Sequence, residues 1–287
     1  MIRQEKEPST PTSTSSEGVR EPQHDVTSQT PLSRFAKAWR YLNENIRPSG
    51  LVEAELLILT FCIGLQDAVS FPDFHCFASN QTGNTVFLIL AIVLPEMNGE
   101  MFITANIGVA LGFFLAAAWL TGQLGHVVGP RRRLWVIACN LLQTGLVFGA
   151  AAVQYSQPQH DGAPPLDGVR SPRTLYAIGL LATAAGSQVV QSRAFRMTEI
   201  TTAMATAAWV DLLIDCELLR LRNRPRNRRI AFLAMLLLGT LSGAFIFKRL
   251  GSPPALVVSG AGKLLVTGMY FFNGAEKEKA PNAGNPV

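Results

Sequence analysis

The chain is a succession of apolar stretches, most of them approaching the roughly 20 residues a helix needs to cross about 30 Å of hydrocarbon. They fall at 51–71, 80–95, 102–123, 134–154, 174–191, 199–214, 229–247 and 254–272. A helix at the surface of a soluble domain is apolar along one stripe and polar elsewhere; these segments are apolar over most of their length. The expected fold class is an all-α polytopic membrane protein with about eight hydrophobic segments. Composition agrees. Of 287 residues, 48% are hydrophobic and 16% charged, against about 25% charged in soluble domains. Segments 80–95 and 199–214 are short, either tilted or re-entrant where protein covers them.

The net charge is +5 and the pI about 9.2. Such a balance raises nucleic acid as a partner. Here, however, the cations sit between apolar segments, where cytoplasmic loops collect Lys and Arg, and no basic–aromatic stripe accompanies them. The expected partners are the lipid bilayer and a small-molecule or ion substrate, with no nucleic acid. If all eight segments cross, the two termini share a side. Placing them in the cytosol gathers the cations of 32–47, Arg170, Arg173, the 220–229 loop, Lys277 and Lys279 there, about twice as many as on the other side. The Arg131–Arg133 run opposes this assignment unless one short segment is re-entrant, which would return the run to the cytosol.

Residues 1–31 are rich in Ser, Thr, Pro, Glu and Gln, too polar to offset ordering entropy, and are expected to be disordered. They carry no signal-peptide core, and Met1-Ile2 excludes N-myristoylation. Residues 32–50 form a cytoplasmic amphipathic helix. Leu32, Phe35, Ala36, Trp39, Leu42 and Ile46 share a face, with Arg34, Lys37, Arg40 and Arg47 off it. That helix lies either on an anionic leaflet or against the bundle. Glu53 and Glu55, at the start of the first segment, should prefer the interface. A first membrane repeat at 51–154 and a second at 174–272 are separated by a Pro/Gly/Asp-rich linker loop at 155–173 and followed by a tail at 273–287.

The halves echo each other. Gly64-x-Gln66 matches Gly186-x-Gln188, and Leu141-Leu142-Gln143-Thr144-Gly145 matches Leu264-Leu265-Val266-Thr267-Gly268. Leu111-Gly112 matches Leu238-Gly239, and Thr-rich starts open segments two and six. Four matches in the same order point to two parallel four-helix repeats, an arrangement that often places a transporter's site at the repeat interface. Gly108-xxx-Gly112-xxx-Ala116, Gly145-xxx-Gly149 and Gly239-xxx-Gly243 let helix backbones approach closely. They serve packing within the bundle or contact between copies in a homo-oligomer.

The stretch GLQDAVSFPDFHCFASNQTGNT at 64–85 carries the densest polar chemistry. Asp67 falls within the first apolar run, and an intramembrane carboxylate is costly unless paired, protonated or wet. Asn80 or Thr82 can cap the second helix, whose free N–H groups suit an anionic group. Lys263 lies mid-segment, with Asp67 a candidate partner and Asn140 at the equivalent position of the first repeat. Asp211 and Asp215 lie one turn apart in the sixth segment, Asp211 the deeper. Asp215 and Glu217 are expected to meet the Arg220–Arg229 cluster. The candidate substrate-binding residues are Gln66, Asp67, Thr82, Gly83, Asn84, Gln188 and Lys263. The alternative is a hydrogen-bonded network that locks the turn between two helices. Cys62, Cys76, Cys139 and Cys216 lack CxxC or His spacing and read as buried side chains rather than disulfides or metal ligands. No Walker, GxSxG, HExxH or dinucleotide-binding motif occurs, so no cofactor, metal or enzymatic activity is expected.

GLQDAVSF at 64–71, followed by FASNQTGNTVFLILAI at 77–92, resembles the YoaK-like family, a domain-of-unknown-function group of multi-pass membrane proteins. The resemblance covers about 51–272. Thr202-Ala203 departs from the Thr-Gly that the second half would show. The resemblance implies a membrane fold and supplies no substrate. Two functions stand against each other: a secondary transporter or permease for a small solute, and a non-transporting membrane sensor or scaffold.

Overall fold

The computed structural model describes residues 34–99, 101–156, 171–220 and 222–276. The tail at 1–31, most of the linker loop and most of the C-terminal tail lie outside them. Among the described residues the fold is all helical, with isolated bridges but no strand.

Among the described residues nine α-helices follow in order: α1 Arg34–Asn43, α2 Gly50–Phe74, α3 Gln81–Val93, α4 Thr104–Val128, α5 Arg133–Tyr155, α6 Pro172–Ala194, α7 Ala205–Leu213, α8 Arg224–Leu250 and α9 Ser252–Met269. Their starts are written in the sequence. Ser49 accepts from the Val52 N–H, Ser171 from Thr174 and Asn223 from Arg226, satisfying donors a helix start leaves orphaned. Proline stands in the first turn of α6, α8 and α9, where its missing N–H costs nothing. His75 ends α2 in the left-handed conformation, φ 53°, with its N–H on Phe71 O.

Among the described residues five helices are long and apolar enough to cross a membrane: Gly50–Phe74, Thr104–Val128, Arg133–Tyr155, Arg224–Leu250 and, with its following 3-10 turn, Ser252–Phe272. A sixth, α6, runs through the bundle beside them; it is rich in Ala, Gly, Ser and Gln and largely buried.

Hydrogen bonds between helix ends fix the path. Ile46 N–H donates to Arg131 O, Arg47 N–H to Gly274 O and Glu276 N–H to Asn45 O. The start of α2, the α4–α5 turn and the chain beyond α9 therefore meet at one end, the terminal face. Glu53 pairs with Arg224 and Arg228, so α8 also starts there. At the far face, Asn106 Nδ2 donates to Phe74 O, Gln154 bridges Asp73 and Ser252, and Arg173 reaches Ser156 O.

Segment 75–103 thus leaves and re-enters the bundle at the far face. Its helix α3 has 13 residues, about 20 Å at 1.5 Å per residue, short of the roughly 30 Å of a hydrocarbon core. The same holds for α7, with 9 residues, in the 195–223 connection at the terminal face. Eight apolar segments were expected, the two short ones tilted or re-entrant; the helices flanking each short segment meet at a single face, which fits the re-entrant alternative. Arg131–Arg133, Arg193, Arg196 and the Arg220–Arg229 cluster consequently join the cations of α1 at the terminal face, while Arg173, Lys248 and Arg249 lie at the far one.

Close backbone contact joins two helix pairs. A Cβ on Gly64 would lie 2.6 Å from Leu236 O, and one on Gly239 would collide with Phe61 O, so α2 and α8 touch backbone to backbone. Gly186 makes the equivalent approach to Phe114 O on α4. The other small-residue stripes differ: Gly108, Gly112 and Gly145 have open space around them. The outer surface carries exposed Val86, Ile89, Trp119, Leu142, Leu241 and Phe245, a lipid-facing exterior that a soluble protein would not tolerate.

Candidate functional site

The apolar core is divided. One cluster, with Val69, Phe74, Val147, Leu181 and Leu256, lies toward the far face. The other, with Val52, Leu56, Leu59, Ile137, Phe195 and Val266, lies toward the terminal face. Between them, at the same depth on four helices, is a buried polar layer. It comprises Gln66 on α2, Asn140 and Gln143 on α5, Ser187, Gln188 and Gln191 on α6, and Ser259 and Lys263 on α9.

Each member is held by its neighbours. Lys263 is 0% exposed; its ammonium donates to Gln143 Oε1 at 3.4 Å and, at closer range, to Gln188 Oε1. Both amides are turned to accept because their nitrogens are committed elsewhere. Gln143 Nε2 donates to Ser187 Oγ at 3.1 Å and Gln191 Oε1 at 2.9 Å, and Gln188 Nε2 donates to Leu59 O at 3.2 Å. Gln191 in turn donates to Val136 O. Asn140 Nδ2 donates to Lys263 O at 2.8 Å and Thr267 Oγ1 at 2.7 Å. Gln66 Nε2 donates to Ser259 Oγ at 2.8 Å, which donates on to Cys62 O. Two buried acceptors in the layer, Gln66 Oε1 and Asn140 Oδ1, have no partner.

The sequence candidates therefore separate. Gln66, Gln188 and Lys263 share the layer. Asp67 does not pair with Lys263; its Oδ2 accepts from Ser79 Oγ at 2.5 Å, which draws the 75–80 turn back along α2. Asn84 locks the same turn through Phe77 N–H, Phe77 O and Gln81 Oε1. Gly83 N–H is taken by the Asn80 side chain at 3.4 Å, and Thr82 is exposed. Asp67, Thr82, Gly83 and Asn84 thus lie at the re-entrant turn rather than in the layer, and the bonds of Asp67 and Asn84 build that turn. Asp211 is half exposed and lies 3.7 Å from Arg229, which Asp215 also meets at 3.4 Å, and Glu217 pairs with Arg220.

Gln143, Ser187, Gln191 and Ser259 were not singled out from the sequence. The available signal was polar residues at helical spacing inside apolar segments: Asn140/Gln143, Ser187/Gln191 and Ser259/Lys263 each share a helix face.

A second polar cluster closes the terminal face. Arg133, 0% exposed, lies 3.7 Å over the Tyr41 ring, donates to Tyr41 O and Asn273 O, and meets Glu44 at 3.5 Å. Glu55 was expected at the interface. It is instead fully buried and accepts from Asn273 Nδ2 at 2.6 Å, because the returning C-terminal segment covers it. Cys62, Cys76 and Cys139 are buried, Cys216 is exposed, and all four are free thiols.

Apolar through-helices with a lipid-facing exterior and a buried polar layer define a polytopic α-helical membrane protein. Within that class the chain belongs to the family described as protein of unknown function (DUF1275), whose model matches residues 56–269. The match agrees with the resemblance carried by the 64–85 motif. No curated protein and no solved structure matches the chain.

Proposed function

We propose that this protein is a secondary carrier for a small solute, with its site in the polar layer around Lys263 and its terminal face in the cytosol. The observation that carries the reading is the position of Lys263. A fully buried ammonium midway through an apolar bundle costs several kcal/mol unless paired or hydrated, and such residues mark solute or ion sites; this one lies where α5 and α6 meet α9. The proposal includes two four-segment repeats, α2–α5 and α6–α9. Supporting it, α2 packs on α8 as α6 packs on α4, and α9 on α2 as α5 on α6. Each half also carries its short helix in the second position. The accumulation of cations at the terminal face supports the cytosolic assignment. No catalysis is part of this reading.

The test is cellular. Wild type and Lys263→Gln are expressed at equal surface level, and intracellular small molecules are compared by mass spectrometry. At least one solute should differ in accumulation between them, and reconstituted wild type should move it across liposomes. Identical profiles at equal surface level would remove the carrier reading. A scaffold is the second reading, favoured by Phe35 and Trp39 of α1, which are 89% and 64% exposed.

A further inference from the structure

Lys263 has hydrogen-bond acceptors but no counter-charge. Among the described residues no Asp or Glu pairs with it; one oxygen of Asp67 is taken by Ser79 and one of Glu55 by Asn273. The groups facing it are the amides of Gln143 on α5 and Gln188 on α6, and the Cys62 thiol on α2 within electrostatic reach. An ammonium brings three donors, and two are used. A buried charge is stable only when paired or heavily hydrogen-bonded. The site thus leaves one donor and one positive charge unanswered. Beside it, Gln66 Oε1 and Asn140 Oδ1 are buried acceptors without donors. Their amide nitrogens are fixed on Ser259 and on Lys263 O and Thr267, so they cannot flip to become donors without breaking those bonds.

One ligand chemistry answers both deficits. A carboxylate supplies the missing charge and acceptor, and a hydroxyl or amino group on the same molecule supplies donors to the orphaned oxygens. We infer that the polar layer binds a small organic acid carrying a hydrogen-bond donor, with Lys263 on its carboxylate. This deepens the carrier reading and rests on the same site.

The experiment uses the full chain in detergent. Wild type and Lys263→Gln are melted in potassium lactate, acetate and chloride at equal ionic strength, since a ligand that binds the folded state raises its melting temperature by mass action. Lactate should raise the wild-type midpoint by several degrees above chloride, acetate by less, and Lys263→Gln should show no difference among the three. Equal midpoints for wild type in all three salts, or an unchanged lactate increment in Lys263→Gln, would overturn the inference. Gln188→Glu keeps it testable if Lys263→Gln does not fold. A carboxylate built in beside the ammonium should lift the chloride midpoint to or above wild type and abolish the lactate increment. A lower chloride midpoint, or a retained increment, overturns it. The two proposals fail separately. Lactate binding at Lys263 without liposome uptake keeps the site and removes the carrier. Uptake of some other solute with no carboxylate binding does the reverse.

Discussion

At the scale of single residues, tight packing and paired polar groups set the cost of change. Gly239 has no room for a side chain because Phe61 O occupies the place of its Cβ. Gly239→Leu should destabilise the α2–α8 pair by about 3 kcal/mol, read as a lower melting temperature in detergent. Gly112→Leu, which meets open space, should leave the melt nearly unchanged, so equal losses in the two variants would refute the packing assignment. Asp67 makes a different prediction. Its contact with Ser79 needs an acceptor and not a charge. Asp67→Asn keeps an acceptor oxygen and should melt within about 1 kcal/mol of wild type, while Asp67→Leu orphans Ser79 and should cost about 1–3 kcal/mol. If Asn is as damaging as Leu, the carboxylate's charge is required and its role is more than holding a turn.

At the scale of elements, the re-entrant helices and the terminal clasp carry the consequences. Because α3 returns to the face it left, a cysteine at Gly99 should be labelled by a membrane-impermeant thiol reagent from the same side as one at Ser156. A cysteine at Gly129 should be labelled from the opposite side. Eight full crossings would place Gly99 and Ser156 on one side as well, but they would put both with the N-terminus and Gly129 away from it. The deciding comparison is therefore with a cysteine at Arg47: together with Gly129 supports re-entrance, together with Gly99 sinks it. The clasp around Arg133 ties α1 to the bundle through Tyr41 and Glu44, and ties in the C-terminal segment through Asn273. Removing one partner of a buried charged network costs about 3–5 kcal/mol. Arg133→Ala should therefore speed trypsin cleavage at Lys37 and Arg40, and unchanged cleavage would show that α1 is held by its apolar side chains alone. Those side chains divide along the helix: Leu42 packs against the core cluster that holds the buried Ile46, while Phe35 and Trp39 stay exposed. Of the two expected settings of this helix, the bundle thus holds its C-terminal end.

At the scale of the molecule, the bundle places its cations and its polar layer by one geometry. With both short helices re-entrant, the terminal face holds nearly all the described cations. This removes the conflict that Arg131–Arg133 posed for eight crossings, since moving that run requires only that the chain fail to cross once before it. Much of this was legible in the residues. Apolar length announced membrane helices, and Gly239-xxx-Gly243 announced a close helix pair. Gln66, Gln188 and Lys263 announced that something polar lies within. What was not legible was company. Hydropathy reports how apolar a segment is and not whether it crosses: length left the segment of α3 open between tilted and re-entrant, and the bundle shows the less apolar α6 running through while the helices flanking α3 meet at one face.

The sequence by itself determined the class of the molecule, because in hydrocarbon every backbone polar group must be satisfied within its own segment and only long apolar helices achieve this one by one. It also determined where helices begin and which residues pay for being buried. Only the tertiary structure decided which polar residues meet. Lys263 lies 75 residues from Gln188 and 120 from Gln143, and that meeting depends on helix order and rotation set by contacts across the whole bundle. Asp67 was an equally reasonable partner in sequence. It was removed by a local event, the bond to Ser79 twelve residues on, whose short loop is cheaper to close than any contact across the bundle.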